Sequence, residues 1–161
     1  MKKMIVLSGL PSSGRTSYIN SIKDDKTYVV ETKAMRKELM GKFDAYDADN
    51  YLVDKSCDIC LEKFKTYDTV ILDSSTLKNQ RRLQIYRRIA KFVDRVELVI
   101  IDCDPAVCIK RDSEKIDYLQ RGNVHILESF RKMEDPNEAV TVAYDSITHV
   151  NGEHILDKEE A

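Results

Sequence analysis

Gly9-Leu10-Pro11-Ser12-Ser13-Gly14-Arg15-Thr16-Ser17 is the stretch of this sequence with the most chemistry in its spacing. It follows the pattern G-x-x-x-x-G-K-[ST], with Arg15 in the place of the lysine. Glycines let a backbone curl until successive N–H groups point inward. A helix that starts directly afterwards adds the positive potential of its N-terminus, and the two together suit phosphate oxygens. The stretch therefore reads as a nucleotide-binding loop for ATP or GTP, with the Thr16 hydroxyl directed at Mg²⁺. Arg15 keeps the positive charge and can grip phosphate bidentately. It is bulkier and planar where an ammonium is a compact point donor, so it weakens the case for phosphoryl transfer more than the case for binding.

A carboxylate belongs near such a loop, and Val70-Ile71-Leu72-Asp73 ends a continuously apolar run in one. An Asp at the C-terminal edge of a sheet can hold the metal or its waters. On its own it would more commonly be a cap or turn residue, and the loop beside it favours the metal role. Four cysteines are present. Cys57 and Cys60 fall inside an expected helix, while Cys103 and Cys108 bracket a strand end. They read as reduced, buried small side chains rather than as four converging zinc ligands.

Positioning these groups needs a particular scaffold. Apolar β-branched runs at 3–8, 26–30, 69–73, 96–102 and 147–150 alternate with helical periodicity at about 14–22, 34–40, 49–65, 79–93, 105–112 and 124–132. That alternation predicts an α/β fold, a five-stranded parallel sheet with helices on both faces. The strands at Met4, Val70 and Leu98 are apolar without interruption and are expected at its centre. In the helix over 79–93, Leu83, Tyr86, Ile89, Ala90 and Val93 form the stripe expected to rest on the sheet. The 161 residues suit one domain, taken as 1–156, with an acidic tail at 157–161.

Taken together these residues resemble the small P-loop kinases of the phage polynucleotide kinase type and, more distantly, transfer-RNA-related kinases of that fold. Beyond the phosphate loop the resemblance is carried by four stretches. These are Met35 to Gly41, which contains Arg36; Asp73-Ser74-Ser75-Thr76-Leu77 followed by Arg82; Asp102 to Ser113, the entry to a lid at about 111–123; and Arg121-Gly122 leading on to Met133-Glu134-Asp135-Pro136. The resemblance implies catalytic roles for Arg15, Asp73, Arg111 and Arg121, metal binding by Thr16 and Asp73, and acceptor binding by Arg36, Ser75 and Arg82. Arg111 matches the first lid arginine. The second is Lys115 by spacing or Arg121 by its following glycine, and Arg121 is preferred. One departure stands out. The family has an aspartate three residues before Arg36, the base or orienter for the attacking hydroxyl, and this chain has Lys33 there. Glu31, Asp44, Asp47 and Asp49 are the candidate substitutes.

The chain has 26 Lys and Arg against 28 Asp and Glu, a net charge of −2, so its overall field does not advertise nucleic-acid binding. Lys78, Arg81, Arg82, Arg87, Arg88, Lys91 and Arg95 are nevertheless dense, with Arg81, Arg88 and Arg95 at seven-residue intervals. The plainer reading of that run is a solvated helix face. Apolar runs are too short to span a bilayer, and Ser8-Gly9 ends the first before a signal peptide could form, so a cytoplasmic location is expected. Three functional readings result, the last in rank being a P-loop fold kept only as an interaction surface. The first is a kinase moving the γ-phosphate of ATP or GTP to a hydroxyl of a nucleoside, nucleotide or polynucleotide 5′ end. The second is a nucleotide-binding protein impaired in catalysis by Arg15 and Lys33.

Overall fold

The computed structural model describes residues 1–35 and 49–153. Arg36, Asp44, Asp47, the side chain of Asp49, the acidic end at 157–161 and most of the helix expected over 34–40 lie outside them. Strands β1 (Lys3–Ser8), β2 (Thr27–Glu31), β3 (Thr69–Asp73), β4 (Arg95–Asp102) and β5 (Ser146–Asn151) form one sheet. All pairings are parallel and the order is β2-β3-β1-β4-β5. The three uninterrupted apolar strands are the inner three, because only a strand covered on both faces can be apolar at every position.

Between the strands run α1 (Arg15–Ile22), α2 (Asp49–Lys63), α3 (Asn79–Ile89), α4 (Pro105–Ser113), α5 (Asn123–Lys132) and α6 (Glu138–Ala143). Alternation along β1 sends Met4 and Val6 to one face and Ile5 and Leu7 to the other. The first face packs against Cys57 and Cys60 of α2, Ile85 and Ile89 of α3, and Val140 of α6. The second packs against Ile19 of α1. A third cluster, Leu10, Cys108 and Ile126, ties α4 and α5 to the loop after β1. Each such fully buried Leu or Ile contributes roughly 1.5–3 kcal/mol relative to exposure.

Two local readings differ from the structure. The helix expected over 79–93 ends at Ile89 and passes through a 3₁₀ turn, Ala90–Phe92, so Arg95 sits at the start of β4 rather than on the helix. Arg82, Ile85 and Ile89 form its fully buried line, with Leu83 and Tyr86 only partly buried beside it. Helix α6 lay outside the expected set. At six residues with one buried position it is too short for a periodic signal, and its local mark is the Asn137 cap, whose Oδ1 accepts the Val140 N–H at 3.0 Å. Among the described residues no helix is long and apolar enough to cross a membrane.

Candidate functional site

β1 delivers the glycine-rich loop to the C-terminal edge of the sheet. The Ser8 hydroxyl donates to the Thr76 carbonyl at 2.9 Å and the Gly9 N–H to the Ser75 carbonyl at 2.9 Å, which ties the loop to the chain leaving β3. A Cβ on Gly9 would sit 2.8 Å from Ser13 Oγ and 3.2 Å from the Ile101 carbonyl oxygen, so only glycine fits. Gly14 begins α1 from a left-handed conformation, φ 109°, and Ser12 also turns left-handed at φ 64°. The Leu10 side chain points away into the third core cluster, so its part in the loop is limited to its backbone, whose carbonyl accepts the Ser13 N–H at 3.1 Å.

A cavity of about 280 Å³ opens at this edge. Ser12, Gly14, Arg15, Thr16 and Ser17 line it from the loop and α1, Glu31, Thr32 and Lys33 from the end of β2, and Asp73 and Ser75 from the end of β3. Arg111, Lys115 and Arg121 close it. Five cations therefore face two carboxylates. Arg15 Nη1 lies 3.5 Å from Asp73 Oδ1, both side chains being mostly buried. Burial, followed by Lys115 and Arg121, pushes the Lys33 ammonium below its ordinary pKa, with Arg15 adding to the effect and Glu31 opposing it. Lys115 is lowered in the same way by burial, Arg15 and Arg121, against Asp112. Cations crowded until they repel one another are relieved by a polyanion.

Arg111 reaches across the cavity mouth. Its guanidinium donates to the carbonyls of Gly152 at 3.2 Å, Glu153 at 3.1 Å and Ser12 at 3.4 Å, and Cys103 Sγ lies 3.6 Å from it. Gly152, which the sequence reading did not single out, fastens the end of β5 to the loop, since a Cβ there would collide with the Ser13 carbonyl oxygen. Its sequence signal is slight, a glycine one residue past the last strand. The segment carrying Arg121 is held by the buried Asp112 carboxylate, which accepts the N–H groups of Arg121 at 2.8 Å and Gly122 at 2.9 Å. Arg121 Nη2 then lies 2.9 Å from His125 Nε2.

The donor set suits Mg²⁺. Asp73 Oδ1, apart from its ion pair with Arg15, and Ser12 Oγ are buried without a hydrogen-bond partner, and both residues line the cavity together with Thr16. Hard oxygen donors, few in number, fit a cation that keeps several waters and completes its shell with phosphate oxygens. Among the described residues no group of three His, Cys, Asp or Glu could hold a metal ion by itself.

Arg82 requires a correction. Expected at the acceptor, it is instead fully buried, 0% exposed. Its guanidinium donates to Thr76 O at 3.2 Å, Asn79 Oδ1 at 2.9 Å, Glu134 O at 2.8 Å and Ser8 Oγ at 3.0 Å. Its own carbonyl accepts the Tyr144 hydroxyl at 2.7 Å. The side chain is a clamp under the loop, with no face left for a ligand. Part of the basic run is also paired within the fold, Arg88 with Asp58 at 2.7 Å and Arg95 with Glu97 at 2.6 Å, while Lys78, Arg87 and Lys91 are exposed. Arg81 donates to Asn50 and Gln84, and it lines a second cavity of about 510 Å³ that shares Thr32, Ser75 and Arg121 with the first.

A family model described as an AAA domain matches residues 4–135. No curated protein sequence matches at a significant level. Solved structures share the fold at low identity. A gluconokinase from Sinorhizobium meliloti 1021 superposes with a TM-score of 0.68 at 16% identity, covering 97% of this chain and 88% of that one. A sugar kinase from Janibacter sp. HTCC2649 gives 0.70 at 13%, covering 99% and 92%. A chain of the Pnkp1/Rnl/Hen1 complex gives 0.58 at 17%, covering 73% of this chain and 44% of that longer one. The architecture is thus that of the P-loop kinase-like proteins.

Proposed function

Since the chain belongs to that AAA domain family, we propose that it is a phosphotransferase moving the γ-phosphoryl group of ATP or GTP to a hydroxyl of a nucleoside, nucleotide or polynucleotide 5′ end. The observation that carries the reading is the cavity at the phosphate loop, where five cations from four parts of the chain face two carboxylates. In this reading the β- and γ-phosphates are cradled by backbone N–H groups at the start of α1, from Gly14 to Ser17, since those of Gly9 and Ser13 are already bonded to the Ser75 and Leu10 carbonyls. Arg15, Arg111 and Arg121 neutralise the charge that spreads over the transferring group, with residues 111–123 acting as a lid. Asp73 and Thr16 would hold Mg²⁺, which would supply charge neutralisation at the phosphate oxygens.

The acceptor enters through the second cavity, past Ser75 and Thr32. Its oxygen bonds to the γ-phosphorus as the bond from that phosphorus to the β,γ-bridging oxygen breaks, and the nucleoside diphosphate leaves. The hydroxyl proton passes to Glu31, a carboxylate that lines the cavity two residues before Lys33. A loose transition state depends chiefly on positioning and charge, so a distant base slows transfer without stopping it. The second reading, nucleotide binding with little transfer, draws on the Arg15–Asp73 pair, which ties the loop cation to the metal carboxylate. Incubation with γ-labelled ATP or GTP, Mg²⁺ and a panel of nucleosides, nucleotides and 5′-hydroxyl DNA and RNA separates the two. Labelled acceptor supports the kinase, whereas tight nucleotide binding with no labelled product supports the alternative.

A further inference from the structure

The cation that belongs to the phosphate loop is turned toward a carboxylate. Arg15 Nη1 lies 3.5 Å from Asp73 Oδ1, and a planar fork held there cannot behave as the compact donor that the loop pattern provides for. On the opposite wall, two residues beyond β2, Lys33 lines the same cavity as Arg15, Lys115 and Arg121. The charged groups around it include Arg15 from the loop, Lys115 and Arg121 from the segment after α4, and Glu31 from its own strand end. Three of these four repel an ammonium. A half-buried lysine that shares a cavity with these other cations gains when an anion joins them there.

We propose that Lys33 supplies the compact ammonium that the phosphate loop lacks, binding the γ-phosphate oxygens of the triphosphate from the β2 side of the cavity. The inference rests on the reading of the cavity as a nucleoside triphosphate site and deepens it. A position that would be expected to carry a carboxylate for the acceptor carries instead a cation for the donor. The replacement of the loop lysine and the replacement of that aspartate then become two halves of one exchange, rather than two separate losses.

The test is the ratio of ATP to ADP affinity, measured by calorimetry with Mg²⁺ present and no acceptor, so that turnover is not needed. Lys33→Met and Lys33→Gln should lower the ratio roughly tenfold or more, the size of one charged hydrogen bond, with ADP affinity nearly unchanged. Lys33→Asp should lower it further, and adding Arg15→Lys to Lys33→Met should restore most of it. Lys23→Met, an exposed charge after α1, serves as the control for net charge and should leave the ratio alone. An unchanged ratio in the Lys33→Met and Lys33→Gln proteins overturns the proposal while leaving the triphosphate site standing, as does a Lys33→Asp protein that binds ATP more tightly or gains transfer. If the unmodified protein binds neither nucleotide, the triphosphate reading itself fails and the role of Lys33 falls with it.

Discussion

Two basic regions of the molecule look alike in sequence and differ in what completes them. Along α3 and into β4, Arg88 and Arg95 meet the carboxylates of Asp58 and Glu97, and Arg82 is saturated by four oxygen acceptors. Around the phosphate cavity five cations line a space containing two carboxylates. Cation density alone therefore does not mark a binding site. The informative quantity is the balance of formal charge that the fold gathers around one space, because five cations against two carboxylates leave an excess that a polyanion can offset.

The largest test of the comparison sets Arg121 against Arg82. Arg121→Ala should reduce γ-phosphoryl transfer by about 10³-fold, in the range of a removed arginine finger, with the melting temperature nearly unchanged. Arg82→Ala should do the reverse. It strands buried acceptors and leaves a cavity, costing about 3 kcal/mol or more, which is roughly 6–12 °C of melting temperature in a chain this size. Thermal melts and transfer assays on both variants check the pair. Equal loss of activity at unchanged stability in Arg82→Ala would mean that the clamp assignment is wrong.

An intermediate effect is expected on alkaline stability, and it has opposite signs in the core beneath α3 and at the phosphate cavity. Burial in the core raises the Cys57 thiol from 9.0 to about 12 and pushes Cys60 and the Tyr144 hydroxyl upward as well. Groups whose folded pKa is raised give their full stabilisation below the unfolded pKa and lose it as pH climbs through the folded one. Stability should therefore fall between about pH 9 and 12. Lys33 and Lys115, lowered in the fold, act the other way: their penalty is relieved as pH rises toward 10.5. Denaturant titrations across this range should show a shallower decline in Cys57→Ala and a steeper one in Lys33→Met.

The smallest effect is expected at Arg88. Its pair with Asp58 is exposed, so Arg88→Gln should change stability by no more than about 0.5 kcal/mol and leave nucleotide affinity where it was. A marked loss of nucleic-acid binding in that variant, with a flatter salt dependence, would return the α3 face to consideration as a phosphate-contacting surface.

The sequence by itself determined the five strands in their order, the longer helices α1 to α5 between them, which three strands are interior, and where the loop with phosphate-binding spacing lies. These are properties of local pattern: apolar runs report coverage on both faces, and glycine spacing reports backbone geometry. Tertiary structure decided which way the charged side chains point. Arg82 and Arg121 were equally plausible from their neighbours, yet one is enclosed by Ser8, Thr76, Asn79 and Glu134 and the other opens on the cavity. Gly152 matters because β5 lands beside β4 and brings the end of the chain's last strand onto a loop 138 residues earlier than it, a contact between Gly152 and Gly14 that no local pattern encodes. Lys33 likewise became a member of the site only when the sheet order placed the end of β2 within reach of the loop after β1. Direction and distant proximity follow from packing many residues at once, and a residue's type and neighbours in sequence fix neither.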